Sequence, residues 1–134
     1  MGLERHGDGR LHALIADMKS TTEAKVEHRL QIAFYHLMLD RILGDAGITG
    51  TTIQTGILFK PPADPTPEEA VEVIPPLREA ADKWFGLKDV LLEVVDDPEA
   101  YLRSVRDLVT GPESTALRVG QAAFTDVPFC LSFK

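Results

Sequence analysis

Short apolar runs alternate along the chain with longer segments in which apolar residues recur every three or four positions. Residues 11–19 (LHALIADMK) are mostly apolar and follow the turn signal Gly-Asp-Gly at residues 7–9. This pattern predicts an interior strand that is covered on both faces. Residues 2–6 are a short candidate for its hairpin partner.

A long helix is expected after this strand. Residues 20–22 are Ser-Thr-Thr, so Thr21 or Thr22 is the expected N-cap of a helix that runs from about Glu23 to Leu43. Its apolar residues are spaced by three and four, which predicts one buried stripe. The stripe comprises Val26, Leu30, Ala33, Phe34, Leu37, Met38, Ile42 and Leu43.

The rest of the chain continues the alternation of strands and helices. Strands are expected at residues 51–60 and 87–95, and the last helix is expected to run from Asp96 or Asp97 to about Val109. The helix between these strands is expected to start at a Thr66 cap and to break near Ile74, because two prolines follow Ile74. This order predicts one α/β domain over residues 1–134, with a mixed central sheet flanked by helices.

Charge is unevenly distributed over the 134 residues. Lys and Arg number 14 and Asp and Glu number 21, so the formal net charge is −7. Residues 1–44 contain six acids and six bases, and residues 45–134 contain 15 acids and 8 bases. The bulk acidity disfavours a nonspecific coat on nucleic acid, but it leaves room for a binding face in the first third.

Cysteine content and hydropathy indicate the compartment. The single cysteine, Cys130, excludes an internal disulfide and a four-cysteine metal cluster within one chain. No apolar stretch approaches the ~20 residues of a membrane span, and no segment is typical of a signal peptide. We therefore expect a cytoplasmic protein without membrane contact.

The candidate chemistry lies at the end of the first long strand. Asp17 and Lys19 alternate with Met18, so the two charged side chains share one face. The carboxylate is a candidate ligand for a divalent cation, the Met18 carbonyl is a candidate further ligand, and the ammonium can position a water. Alone, the D-x-K pattern is more typical of a surface ion pair at a strand end than of a metal site.

The following helix adds two polar residues that bear on this interpretation. Gln31 and Tyr35 lie four residues apart on one helix face, and His28 precedes them on that face by one turn. Beside a metal site, such a face can bind phosphate and ribose or stack a base. The alternative is that both are half-buried polar residues that pair with the sheet.

Taken together, residues 15–38 (IADMKSTTEAKVEHRLQIAFYHLM) resemble the RecB-like branch of the PD-(D/E)XK nucleases, which includes the CRISPR-adaptation nucleases. In that branch an apolar strand ends in D-x-K, and a helix bearing Q-x-x-x-Y follows about a dozen residues later. Residues 27–31 and the tail 127–134 are also similar to a subgroup of the RecB-like nucleases. The resemblance implies a restriction-endonuclease-like core, Mg²⁺ or Mn²⁺, and a DNA substrate.

The resemblance also implies a second metal ligand and marks where this chain departs from the family. The family has a G-x-x-D strand upstream, and Gly2-Leu3-Glu4-Arg5 stands at that place, with Glu4 13 residues before Asp17. We therefore expect Glu4 to share a cation with Asp17. The family's N-terminal helix and its iron–sulfur cysteines have no counterpart, so the resemblance implies a nuclease core shortened at both ends.

Three functions follow as hypotheses. The first is a metal-dependent DNA nuclease, an exonuclease or one that acts on single strands or ends, with Asp17, Lys19, Gln31 and Tyr35 in its site. The second is a catalytically impaired DNA-binding or protein-interaction module that retains the nuclease fold. The third is a chain that forms a homo-oligomer or needs a partner chain to complete its fold. The nuclease hypothesis requires Asp17, Lys19 and Gln31 to converge on one open cleft, with Tyr35 at the wall of that cleft.

Overall fold

A four-stranded mixed sheet forms the centre of the protein in a computed structural model, which describes residues 1–121. The strands are β1 (Gly2–Arg5), β2 (Leu11–Met18), β3 (Thr52–Phe59) and β4 (Leu91–Val94), and they lie side by side in chain order. The β1–β2 and β3–β4 pairs are antiparallel, whereas β2 and β3 are parallel. The predicted α/β class and the interior position of β2 are confirmed.

Helices connect the strands and cover both faces of the sheet. The helices are α1 (Val26–Asp45), α2 (Ile74–Phe85), α3 (Glu99–Thr110) and α4 (Thr115–Gln121), and a π-helical segment, Glu69–Val73, runs directly into α2. The parallel pairing of β2 and β3 requires a crossover connection, and α1 provides it. The tail 127–134, with Cys130, lies outside the described residues.

The core is divided between the two faces of the sheet. On one face Leu14, Leu58 and Leu92 come from three neighbouring strands and pack against Ala81 of α2. On the other face α1 contacts both β2 and β3, and it packs against α3 through Ala33. Helix α1 therefore lies directly above the end of β2, where the candidate chemistry was predicted.

The predicted buried stripe of α1 is confirmed in part: Leu30, Ala33 and Leu37 pack in one core cluster with α3. Of that set only Ala33 is fully buried; Val26, Phe34, Met38 and Ile42 are exposed, and Leu30, Leu37 and Leu43 are half-buried. Ile32, which the stripe omitted, is buried instead. The helix divides its buried surface between the sheet and α3, so adjacent positions 32 and 33 are both covered. A single-stripe pattern assumes one packing partner.

The ends of the helices differ from the expectation at α1 and agree with it before α2. Helix α1 begins after Lys25, three residues later than predicted, because the Lys25 N–H donates to His28 Nδ1 at 3.2 Å. At the next helix start the Glu69 N–H donates to Thr66 Oγ1 and the Thr66 N–H donates to Glu69 Oε2, as the predicted cap requires. These bonds lower the pKa of Glu69.

The break predicted near Ile74 coincides with a change of helix type. The π-helical segment ends at Val73 and the α-helix begins at Ile74, so the two prolines that follow lie in the first turn of α2. A proline has no N–H to give to the preceding turn and its ring crowds the carbonyl four residues back, so the change of helix type falls where the regular α-helical bonds are interrupted. In the part of the chain that the structure describes, no helix has the length and hydropathy to cross a membrane.

Candidate functional site

The end of β2 determines where the site lies. Asp17 is in register with Ile57, and the ladder extends one residue past the strand, because the Lys19 N–H donates to the Leu58 carbonyl at 2.7 Å. This extended backbone alternates its side chains, so Asp17 and Lys19 point to the face that α1 covers. Met18 points to the other face and is 58% exposed.

Four polar side chains form one continuous series of contacts across this end of the sheet. The Lys19 ammonium lies 2.6 Å from Asp17 Oδ2 and donates to Gln31 Oε1 at 2.6 Å. The Gln31 amide in turn donates to the Tyr35 hydroxyl at 2.8 Å. The expected convergence of the D-x-K strand end with the Q-x-x-x-Y helix is therefore present. We call these four residues the Asp17–Tyr35 cluster.

The Asp17–Tyr35 cluster runs from a half-buried end to an exposed end. The side chain of Asp17 is 26% exposed and that of Lys19 is 20% exposed, whereas Gln31 and Tyr35 are exposed residues. Asp17 Oδ2 itself is buried, and its close polar neighbour is the Lys19 ammonium. The Lys19 ammonium has three donors: one bonds Gln31 Oε1, and the contact with Asp17 is an ion pair in which Oδ2 receives no hydrogen bond, so a donor remains for a ligand oxygen. The inner end therefore holds the charge, and the outer end can be reached by a ligand.

A second ion pair lies on the same face of the sheet. The Arg29 guanidinium of α1 donates to Glu93 Oε1 on β4, and Glu93 is in register with Ile57 of β3. This hydrogen bond raises the pKa of Arg29 further above its ordinary range, and a smaller contribution comes from Tyr101. Sequence reasoning missed this pair because nothing in the local sequence links residues 64 positions apart. Only the β3–β4 register brings Glu93 to α1.

His28 does not join the Asp17–Tyr35 cluster, although the sequence places it on the same helix face. Its Nδ1 accepts the N–H of Lys25 and closes the first turn of α1. The sequence does contain a local signal for this role of His28, because position 28 is the third residue of the helix that begins at Val26. A polar side chain at that position commonly reaches back to the N-cap backbone.

Glu4 lies far from Asp17, so the geometric expectation for this residue is wrong. Glu4 is in register with His12, five residues before Asp17 on β2. At ~3.3 Å per residue this separates the two along the strand by about 17 Å. The cause is the antiparallel pairing of β1, which covers only Leu11 to Leu14 and places Gly2, not Glu4, at the end closer to Asp17.

Among residues 1–121, the donor atoms around the Asp17–Tyr35 cluster do not make a complete site for Mg²⁺ or Mn²⁺. These ions need several oxygen ligands, and the protein usually contributes one or two carboxylates. The Asp17–Tyr35 cluster offers one carboxylate, and its buried oxygen already faces an ammonium. Within residues 1–121 no three His, Cys, Asp or Glu side chains are grouped so that they could hold a metal ion.

The arrangement can nevertheless bind an anionic ester. A half-buried ammonium is held in place by a carboxylate and an amide, and an exposed aromatic ring with a hydroxyl lies at the outer end. These are the groups that contact phosphate, sugar and base in nucleic-acid sites. Comparisons with protein-family models, curated proteins and solved structures found no match to the chain.

Proposed function

We propose that this chain is a nuclease-type domain that binds DNA, at single strands or ends, and hydrolyses a phosphodiester bond at the Asp17–Tyr35 cluster. The observation that supports the proposal is the unbroken series of contacts from Asp17 through Lys19 and Gln31 to Tyr35. The end of β2 and the helix α1 meet through the bond between Lys19 and Gln31, twelve residues later in the chain. A simple surface ion pair or a buried amide would not need this connection between the two elements.

Lys19 is the central group in this proposal. Its free donor binds a non-bridging oxygen of the scissile phosphate and stabilises the negative charge that develops on the phosphate. Asp17 and Gln31 fix the ammonium from two directions, so little reorganisation is needed when the phosphate arrives. Asp17 and Gln31 therefore position Lys19 as well as lining the site.

Tyr35 extends the site along the surface of α1. Its side chain is 36% exposed, and its hydroxyl accepts the Gln31 amide, which fixes the orientation of the ring. An exposed ring of this kind can stack an unpaired base, with a contribution of ~1–3 kcal/mol per base. Stacking of this type favours single strands and frayed ends over paired duplex.

Magnesium or manganese would supply Lewis-acid activation of the phosphate and of a bound water. The donor set that the structure describes falls short of such a site, so the roles above are assigned to the side chains alone. Mn²⁺ enters the proposal only as a component of the assay.

The position of Glu4 favours a second candidate function. If no second carboxylate reaches Asp17, the same cluster binds DNA without cleaving it. This is the catalytically impaired module that retains the binding face. The acidic segment 45–134 is compatible with this candidate, because its charge opposes extended contact with a phosphate backbone.

Cleavage and binding of labelled DNA separate the two candidates. Single-stranded and duplex DNA are incubated with Mn²⁺ and wild-type protein, Lys19→Ala or Lys88→Ala, which removes an exposed lysine between α2 and β4. The nuclease predicts single-strand cleavage that Lys19→Ala abolishes and Lys88→Ala preserves. Binding without cleavage favours the impaired module. Equal cleavage or binding by wild type and Lys19→Ala would remove the cluster from the function.

A further inference from the structure

The imidazole of His28 presents a hydrogen-bond donor that no residue among 1–121 uses. Its Nδ1 accepts the backbone N–H of Lys25 at 3.2 Å, so this nitrogen carries a lone pair rather than a proton. A neutral imidazole that accepts at one nitrogen carries its proton on the other, which makes Nε2 the donor. Nε2 is not one of the buried, unpartnered nitrogens of the described residues, so it is open to solvent. Its N–H is therefore free to bind a ligand.

The same face of α1 carries this donor and the outer part of the Asp17–Tyr35 cluster. Positions 28, 31 and 35 are three and four residues apart, which places them along one side of the helix. His28 precedes Gln31 by about 4.5 Å along the helix axis, at ~1.5 Å per residue. Gln31 in turn bonds the Lys19 ammonium at 2.6 Å. An imidazole N–H and an ammonium therefore lie about one helical turn apart along the axis of α1.

This spacing fits consecutive phosphates of one nucleic-acid strand. Successive phosphates follow each other every ~3.4 Å along the axis of a stacked strand, and they lie further apart in an extended one. On the other side of Gln31, Tyr35 offers its ring to a base. The three groups thus form a line along α1, with the base site at one end and the imidazole donor at the other.

The surroundings of His28 favour a negatively charged acceptor at Nε2. The residue lies in the first turn of the 20-residue helix α1, where the positive end of the helix dipole attracts negative charge. Lys25 and Glu27 have opposite charges, so neither sign dominates the nearby sequence. The bond to Lys25 also holds the half-buried ring in one orientation, so little side-chain entropy is lost when a ligand binds. A phosphate oxygen accepts the N–H and carries the favoured charge.

We propose that His28 binds the phosphate next to the scissile one, so that the site takes a single strand as two phosphates and one base along α1. Nε2 donates to a non-bridging oxygen of this neighbouring phosphate, while Lys19 binds the phosphate at which the bond breaks. The bond between Lys25 and Nδ1 keeps the ring in the tautomer and orientation that this contact requires. The inference rests on the proposed function and adds to it a residue that sets the register of the strand.

Substitutions at position 28 separate the donor from the helix cap. His28→Glu keeps an acceptor for the Lys25 N–H, as an acid at this helix position commonly does, but it has no donor. His28→Gln keeps an acceptor and an N–H donor. Val26→Glu is the control for charge, because it adds a carboxylate to the same turn at a position that is 56% exposed and leaves the imidazole in place.

Fluorescence anisotropy with a labelled tetranucleotide measures the effect of these variants on binding. We expect His28→Glu to weaken binding about tenfold more than Val26→Glu does, because a hydrogen bond to a charged phosphate is lost. His28→Gln should retain most of the affinity. Thermal unfolding of His28→Glu should match that of the wild type, which would show that the helix cap is intact.

Neutral phosphate analogues identify the contact itself. Each internucleotide phosphate of the tetranucleotide is replaced in turn by an uncharged methylphosphonate. For the wild type, replacement at two neighbouring positions should weaken binding; His28→Glu should lose the sensitivity at one of them and Lys19→Ala at the other. A residue that only caps the helix would leave this pattern unchanged.

The outcomes separate this inference from the proposed function. The same methylphosphonate pattern for wild type and His28→Glu, or equal losses for His28→Glu and Val26→Glu, would overturn the role of His28. If Lys19→Ala still abolished binding in that case, the proposed function would stand without it. A wild type that binds no single strand would overturn both.

Discussion

Asp17 and Glu93 lie in one row across the sheet, each in register with Ile57 of the strand between them. Each carboxylate is paired with a cation: Asp17 with Lys19, which also bonds Gln31 of α1, and Glu93 with Arg29 of α1. Two polar connections therefore tie α1 to β2 and to β4. They fix the helix on the sheet at the position that the cluster requires.

The Arg29–Glu93 pair should contribute measurably to stability. Arg29 and Glu93 keep 24% and 32% of their side-chain surface exposed, so a Glu93→Gln variant leaves a largely desolvated guanidinium without its counter-charge. We expect a loss of about 1–2 kcal/mol in the free energy of unfolding, measured by urea denaturation.

The matched control for this substitution is Glu79→Gln, which changes an exposed carboxylate on α2 and should shift the unfolding free energy by less than about 0.5 kcal/mol. The double variant Arg29→Met with Glu93→Leu should recover most of the lost stability, because neither charge is then buried alone. Equal losses for Glu93→Gln and Glu79→Gln would show that the pair is not energetically coupled to the fold.

The fold and the Asp17–Tyr35 cluster could be predicted because their determinants are local. Two short segments of the sequence are sufficient to predict the cluster. One is an apolar run that ends in D-x-K, and the other is a helix with Gln31 and Tyr35 four residues apart. Glu93 and the position of Glu4 could not be predicted, because both depend on strand register. Register is set by packing across the sheet, and a shift in pairing moves a side chain by a full residue or to the other face.

Tyr35 and its neighbour Phe34 should differ in their effect on DNA binding. The two rings are similarly exposed, 36% and 39%, but Phe34 lines a groove between α1 and α3, whereas Tyr35 bonds Gln31. We expect Tyr35→Ala to weaken binding of single-stranded DNA by about tenfold or more, consistent with ~1–3 kcal/mol per stacked base. Tyr35→Phe should retain most of the affinity.

Fluorescence anisotropy with a labelled oligonucleotide measures both effects, and Phe34→Ala is the control that should bind as the wild type does. A similar loss for Phe34→Ala and Tyr35→Ala would indicate that the helix surface as a whole, rather than the cluster, contacts the strand.

His36 should make the protein less stable in mild acid. Its ring is half-buried on α1, its Nδ1 has no hydrogen-bond partner among the described residues, and burial lowers its pKa from the ordinary 6.5. Asp40 and Glu99 oppose this shift, and Arg106 reinforces it. Because the folded state binds the proton more weakly than the unfolded state, stability is full above pH 6.5 and falls as the pH drops toward the lowered pKa.

The unfolding free energy of wild type and His36→Gln is compared between pH 5 and pH 8 by urea denaturation. We expect the stability of the wild type to decline faster below pH 6.5 than that of His36→Gln, which has no proton to gain. Parallel pH profiles for the two proteins would assign the acid sensitivity to other groups.

Gly56 is the point in β3 where the sheet has no room for a side chain. A Cβ at this position would lie 2.8 Å from Leu92 Cδ1 and 3.1 Å from the carbonyl oxygen of Glu93. Gly56→Ala therefore requires the buried Leu92 side chain to shift and the backbone of β4 at Glu93 to give by a few tenths of an ångström, at a cost of about 1–3 kcal/mol in the free energy of unfolding. Since Glu93 moves with β4, the contact with Arg29 should weaken as well.

Gly44→Ala is the control, because no atom lies within 4 Å of its added Cβ and α1 should gain up to about 1 kcal/mol. Thermal unfolding of the two variants should show opposite shifts in Tm, and a stable Gly56→Ala would mean that β3 and β4 are packed less closely than the register implies.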